Sequence, residues 1–147
     1  MIDIDTLEQD AVVLVEKLKS LIPIKQNDKI HLANLKKEFT HKTERRMVQK
    51  EIKESERHLN NLTAFQKEFQ EKFRKIQLDK EELYVKREKA IMNHKVLLEK
   101  HPRLLKSLLL HTERERSKIE KELYFLNTTA VTCLRQNEYL PSHRCEV

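Results

Sequence analysis

Not one of the 147 residues is glycine. Average usage of about 7% would supply roughly ten. Primed hairpin turns, left-handed helix caps and phosphate-cradling loops all lean on glycine. A β-sandwich, a β-barrel, a P-loop and a dinucleotide-binding fold are therefore excluded as readings of this chain. Charged residues make up 37% and hydrophobic ones 38%, with a mean hydropathy of −0.74, which suits long helices that each bury a narrow stripe. The expected class is all-α: an extended coiled coil with a short N-terminal helix, one long central helix and a kinked C-terminal helix. A thin helical rod supplies no enclosed pocket, so no enzyme and no cofactor are expected.

The periodicity divides the chain. Ile4, Leu7, Ala11, Leu14, Leu18 and Leu21 are spaced alternately three and four apart, an a/d seam over nearly three heptads. Pro23 is expected to end that helix, and Asn27 or Asp28 to cap the next. Residues 1–24 thus form a short amphipathic helix. No proline recurs before Pro102, so residues 25–101 read as one long coiled-coil helix, about 110 Å from residue 28 on. Its seam includes Ile52, Leu59, Leu62, Phe69, Phe73, Ile76, Leu83 and Leu97, with Phe65 adding an aromatic line. Behind Pro102 the ladder shifts by one residue and continues through Ile119, Leu123 and Leu126. A kink at Pro102 is expected in preference to a reversal, because Lys100–Arg103 offers few loop residues. Residues 102–138 form the C-terminal helix and 139–147 a frayed tail.

Charge is uneven along the chain. Thirty Lys+Arg face 24 Asp+Glu, a net +6. The first 24 residues hold Asp3, Asp5, Glu8, Asp10 and Glu16 against Lys17 and Lys19, leaving an acidic head before a basic remainder. Such a head can fold onto the basic stretch, or the basic stretch can lie on an acidic surface. The a column of the central ladder turns basic, through Lys80, Arg87, His94 and His101. In a parallel homodimer those cations would face their own copies. The expected partners are therefore coiled-coil proteins with an acidic face, the assembly being heteromeric. Leu7, Leu14, Leu18, Ile52, Leu59, Leu62, Phe69, Phe73, Ile76, Lys80, Leu83, Arg87, Leu97, Ile119 and Leu123 are its expected interface residues. Antiparallel self-pairing and a loosely packed second half are the alternatives.

Other chemistry is weakly signalled. The seven histidines lack metal-ligand spacing, and Cys133 and Cys145 make no disulfide framework, so they read as reduced thiols. No apolar run approaches a membrane span, and the acidic start is unlike a secretory or mitochondrial leader. The basic stretch 25–53 has the layout of a basic region ahead of a zipper, but acids interrupt it and the base-reading residues are missing. An acidic protein or tubulin surface would attract the same charges.

Residues 59–123 carry Phe65-Gln66-Lys67-Glu68-Phe69-Gln70-Glu71-Lys72, then Lys80-Glu81-Glu82-Leu83, Lys86-Arg87-Glu88 and Leu97-Leu98-Glu99-Lys100. Glu113-Arg114-Glu115-Arg116 and Glu120-Lys121-Glu122 follow. These resemble the coiled-coil domain shared by cilia- and flagella-associated proteins, the group that includes the modifier-of-inner-arms pair. His94 stands where that family has an aromatic, and His101-Pro102 where it continues Asn-Asp. The resemblance implies a non-catalytic axonemal scaffold lying along microtubules in the cytoplasm of a cilium or flagellum. Kinetochore, centrosome or vesicle-tether subunits share the same sequence physics.

Overall fold

The computed structural model describes residues 3–139, with side chains to Asn137. The described residues are all-α and contain no strand. Four helices follow one another: α1 (Ile4–Glu38), α2 (Lys42–Asn93), α3 (Lys95–Lys100) and α4 (Pro102–Tyr139). The predicted tail beyond Tyr139, with His143 and Cys145, lies outside the described residues.

Two predicted boundaries are corrected. Pro23 does not end α1; it sits inside it, and Asn27 and Asp28 are helical rather than capping. Proline removes its own N–H and frees the carbonyl four residues back. Pro23 and Lys19 are both exposed, so water reaches that carbonyl. Buried Leu18, Lys25 and Leu32 hold the helix on either side. The second correction is that residues 25–101 are not one helix. Phe39, Thr40 and His41 interrupt it. The Phe39 N–H reaches back three residues to Lys36 at 3.3 Å, and α2 opens with Arg45 donating to the His41 carbonyl at 3.0 Å. Between Lys36 and Arg46 only Phe39 is apolar, so no seam holds a helix together there.

The chain divides into two compact units. The first takes the described residues up to Ala11 together with Glu71–Asn127. In it α2 runs to Asn93, and the helical ladder steps past His94, which accepts from Leu98 at 2.8 Å and donates to Ala90 at 3.1 Å. His101, with φ −127° and ψ 78°, leaves the helix as a residue before proline does, and Pro102 opens α4 at a position that needs no N–H. Here the expectation of a kink is corrected to a reversal: α4 returns alongside α2, with Leu83 and Lys86 lining one groove with Glu115 and Ile119. The start of α1 is the third helix. Its core is Ile4, Leu7, Ala11, Phe73, Ile76, Ile119, Leu123 and Leu126, all buried. A fully buried leucine contributes about 2 kcal/mol.

The second unit holds Val12–Gln70 and the residues from Thr128 on. Here α1 and α2 form an antiparallel hairpin about the 39–41 turn: Lys29 pairs with Glu56 at 3.2 Å, and Lys36 bonds Gln49 nearer the turn. The end of α4 supplies the third helix, through buried Ala130 and a hydrogen bond from Lys25 Nζ to the Asn137 carbonyl at 3.0 Å. Leu14, Val15, Leu18, Leu32, Ile52, Leu62 and Phe69 fill the core, and the Phe65 and Phe69 rings stack with centroids 6.5 Å apart.

Candidate interaction surface

The predicted interface residues separate into three groups. Leu7, Leu14, Leu18, Ile52, Leu62, Phe69, Phe73, Ile76, Ile119 and Leu123 are buried in the core of their own unit. They were expected to meet a partner; the chain covers them itself, because the turns at residues 39–41 and at His101 bring its own helices together. Leu59 and Leu83 are half-buried. Lys80, Arg87 and Leu97 remain at the surface or its margin, and they lie in the first unit.

The acidic head supplies the first layer of charge pairing on the basic column. Lys80 Nζ binds Glu8 and lies 3.4 Å from Asp5. Burial is the largest influence on this ammonium and lowers its pKa, but the hydrogen bonds and charges of Glu8 and Asp5 together outweigh it, so the value is raised. Arg116 reaches Asp3 at 3.1 Å and Glu120 at 3.3 Å. Deeper in, Asn127 donates Nδ2 to the Leu7 carbonyl at 3.0 Å, fixing the height of α1 against α4. The head-on-basic-stretch association expected from charge is thus found within one chain. Lys80, expected to meet the acidic face of another chain, pairs instead with α1 of its own.

Arg87, one heptad beyond Lys80, has no residue of α1 among its partners in the structure. Its Nη2 lies 3.3 Å from neighbouring Glu88, and its guanidinium sits 5.0 Å from the centroid of the Tyr84 ring. Its Nε is buried without a hydrogen-bond partner. Past this point the first unit presents exposed Met92, Val96, Leu97, Leu104, Leu109 and Leu110.

Each unit also carries an open groove. In the first unit, Asp79, Glu82, Lys86, Glu115 and Lys118 line a groove of about 470 Å³ floored by Leu83 and Ile119. In the second, His58, Asn61, Phe65, Thr132, Cys133 and Gln136 line one of about 480 Å³. Burial pushes the Cys133 thiol up, while a hydrogen bond from Asn137 pulls it the other way. The thiol is therefore a weak nucleophile at neutral pH. The basic stretch 25–53 lies in this unit, and the turn at 39–41 divides it between α1 and α2. The long continuous basic helix of a zipper-type DNA binder is not formed. Among the described residues no group of three or more His, Cys, Asp or Glu side chains is placed to hold a metal, and no helix is long and apolar enough to cross a membrane.

Compared with known proteins, the chain matches no family model, no curated protein and no solved structure. Of the two associations the charge pattern allowed, the acidic head on the basic stretch is the one found, and within the basic column it reaches Lys80 but not Arg87. The drift of the apolar stripe from the d column toward Tyr84, Ile91, Leu98 and Leu105 is legible in the sequence, as a face for another chain or a loosely packed stretch, but not that α1 stops short of Arg87.

Proposed function

We propose that this chain is a non-catalytic helical adaptor that assembles with helices of another protein, with the cytoskeleton, and the ciliary axoneme in particular, as its setting. One observation carries the adaptor reading. With its own seams covered, the first unit still exposes six large apolar side chains between Met92 and Leu110, among basic residues. Apolar surface of this kind, rimmed by charge, marks protein contact sites. The axonemal setting rests on the resemblance of residues 59–123 alone.

The test is proximity labelling from the full chain in ciliated cells, with salt-resistant co-purification of whatever is labelled. The reading expects a helical cytoskeletal protein recovered in near-stoichiometric amount at 0.5 M salt, roughly threefold above physiological ionic strength. Recovery that disappears on nuclease treatment would assign the chain to nucleic acid instead. Recovery of nothing above a control chain would remove the adaptor reading.

A further inference from the structure

The first unit is a three-helix arrangement only along part of its length. α1 begins at Ile4, and its direction is fixed by three contacts: Asp3 with Arg116, Asp5 with Lys80, and the Leu7 carbonyl with Asn127. α1 therefore runs from the level of Arg116 toward Asn127, away from the His101 turn. From Arg87 to Lys100 on one side, and from Pro102 to Thr112 on the other, the described residues form a two-helix hairpin. That stretch is roughly 20 Å long.

The channel that holds α1 continues along this hairpin. Seven residues beyond Tyr84 stands Ile91, and seven beyond Arg87 stands His94. Seven before Arg116 stands Leu109, and seven before Thr112 stands Leu105. Ile91 and Leu105 are half-buried and Leu109 is exposed. A heptad step returns a helix to nearly the same face, so His94 continues the line of Lys80 through Arg87, and Leu109 that of Arg116, Lys80 and Arg116 being the side chains that bind α1. The hairpin is strongly basic. Residues 86–110 carry Lys86, Arg87, Lys89, Lys95, Lys100, Arg103 and Lys106 against Glu88 and Glu99.

We infer that this open channel is a docking site for an acidic amphipathic helix of a partner protein, laid end to end with α1. The inference rests on the adaptor reading and names the surface that performs it. α1 is the template for the occupant: apolar side chains on the seam, carboxylates at the edges meeting Lys80 and Arg116. On the occupant the equivalent carboxylate meets Arg87, whose buried Nε is unpartnered. A second copy of this chain does not fit. Its own acidic head is already engaged with Lys80 and Arg116, and two such hairpins repel by like charge.

The experiment uses the full chain and two designed helical peptides, each with leucine at a and d. One carries glutamate at e and g, the other lysine. Fluorescence anisotropy is expected to show saturable binding of the glutamate peptide and none of the lysine peptide. Arg87→Glu and, separately, the surface change Lys106→Glu should each weaken binding at least tenfold, with thermal melts by circular dichroism unchanged. Lys106→Glu keeps the test valid should Arg87→Glu unfold the unit. Equal binding of both peptides, no binding of either, or binding unaffected by both variants would overturn the inference. So would tighter binding of the chain to vesicles of anionic phospholipid than to the glutamate peptide, lost in the same variants. If Lys106→Glu abolishes peptide binding but cells yield no partner, the adaptor reading fails and the site stands. If a partner is recovered equally well by Lys106→Glu, the site fails and the adaptor reading stands.

Discussion

Arg116 on α4 binds Asp3 at the start of α1 across 3.1 Å, though 113 residues separate them in sequence. With Lys80 on Asp5 and Glu8, this pairing draws the acidic first turns of α1 onto the basic face of α2 and α4. The consequence is a change of partner. Among the described residues, heptads that read as a seam for a second chain are closed by the chain's own helices, while the stretch beyond Arg87 keeps large apolar side chains exposed.

The clamp is sensitive to alkali. The Lys80 pKa is raised in the folded chain, with Glu8 and Asp5 outweighing the opposing effect of burial. The folded chain therefore holds its proton longer than the unfolded chain does. Its stabilisation is fully present below the unfolded value of about 10.4 and is lost as pH rises through the folded value. Lys80→Met should lose about 0.5–1 kcal/mol at pH 7, after allowing for solvent screening. Between about pH 10 and pH 12 it should lose less further stability than the parent chain. Urea titrations at both ends of that range check the sign.

Phe73 is buried in the first unit, beside the apolar face of α1 and α4. Phe73→Ala should destabilise the chain by about 3–5 kcal/mol, through lost transfer energy and an unfilled cavity. Denaturant unfolding followed by circular dichroism measures this. Because the residue packs inside its own chain, the loss should not depend on protein concentration.

Ser55 occupies a seam position of α2 between Ile52 and Leu59, is 2% exposed, and its Oγ has no hydrogen-bond partner. A buried hydroxyl left unpaired costs about 1–3 kcal/mol. Ser55→Ala should therefore raise stability by about 1 kcal/mol, the side chains being nearly the same size. A shift of the urea midpoint upward, with the slope unchanged, is the expected record.

Pro23 interrupts the hydrogen-bond ladder of α1 at an exposed position. Proline in a helix interior costs about 3 kcal/mol relative to alanine. Pro23→Ala should stabilise the second unit by about 1–3 kcal/mol, visible as stronger amide protection over residues 19–25 in hydrogen exchange.

The all-α class was legible because two independent signals agree: the absence of glycine and the 4–3 spacing of Ile4 to Leu21 and of Ile52 to Ile76. Buried Leu7, Leu18, Leu62 and Phe69 are the residues that spacing selects. Helix ends were less legible. Pro23 is a strong local stop, but it was overridden by packing of Leu18, Lys25 and Leu32 on either side. The 39–41 turn has neither glycine nor proline, and its one trace is the apolar gap from Lys36 to Arg46. The reversal at His101 compresses into one residue what was expected to need a loop. Once those turns are known, the basic column reads differently: Lys80 is satisfied from within, and Arg87 marks where α1 gives out.

The most direct test is sedimentation equilibrium of the purified chain, with helicity measured across the same concentrations. The account predicts a monomer of 17.7 kDa that is strongly helical and no less so on dilution. Helicity that falls on dilution together with the mass, from a dimer to an unfolded monomer, would show that the seams are closed by a second chain and would contradict it.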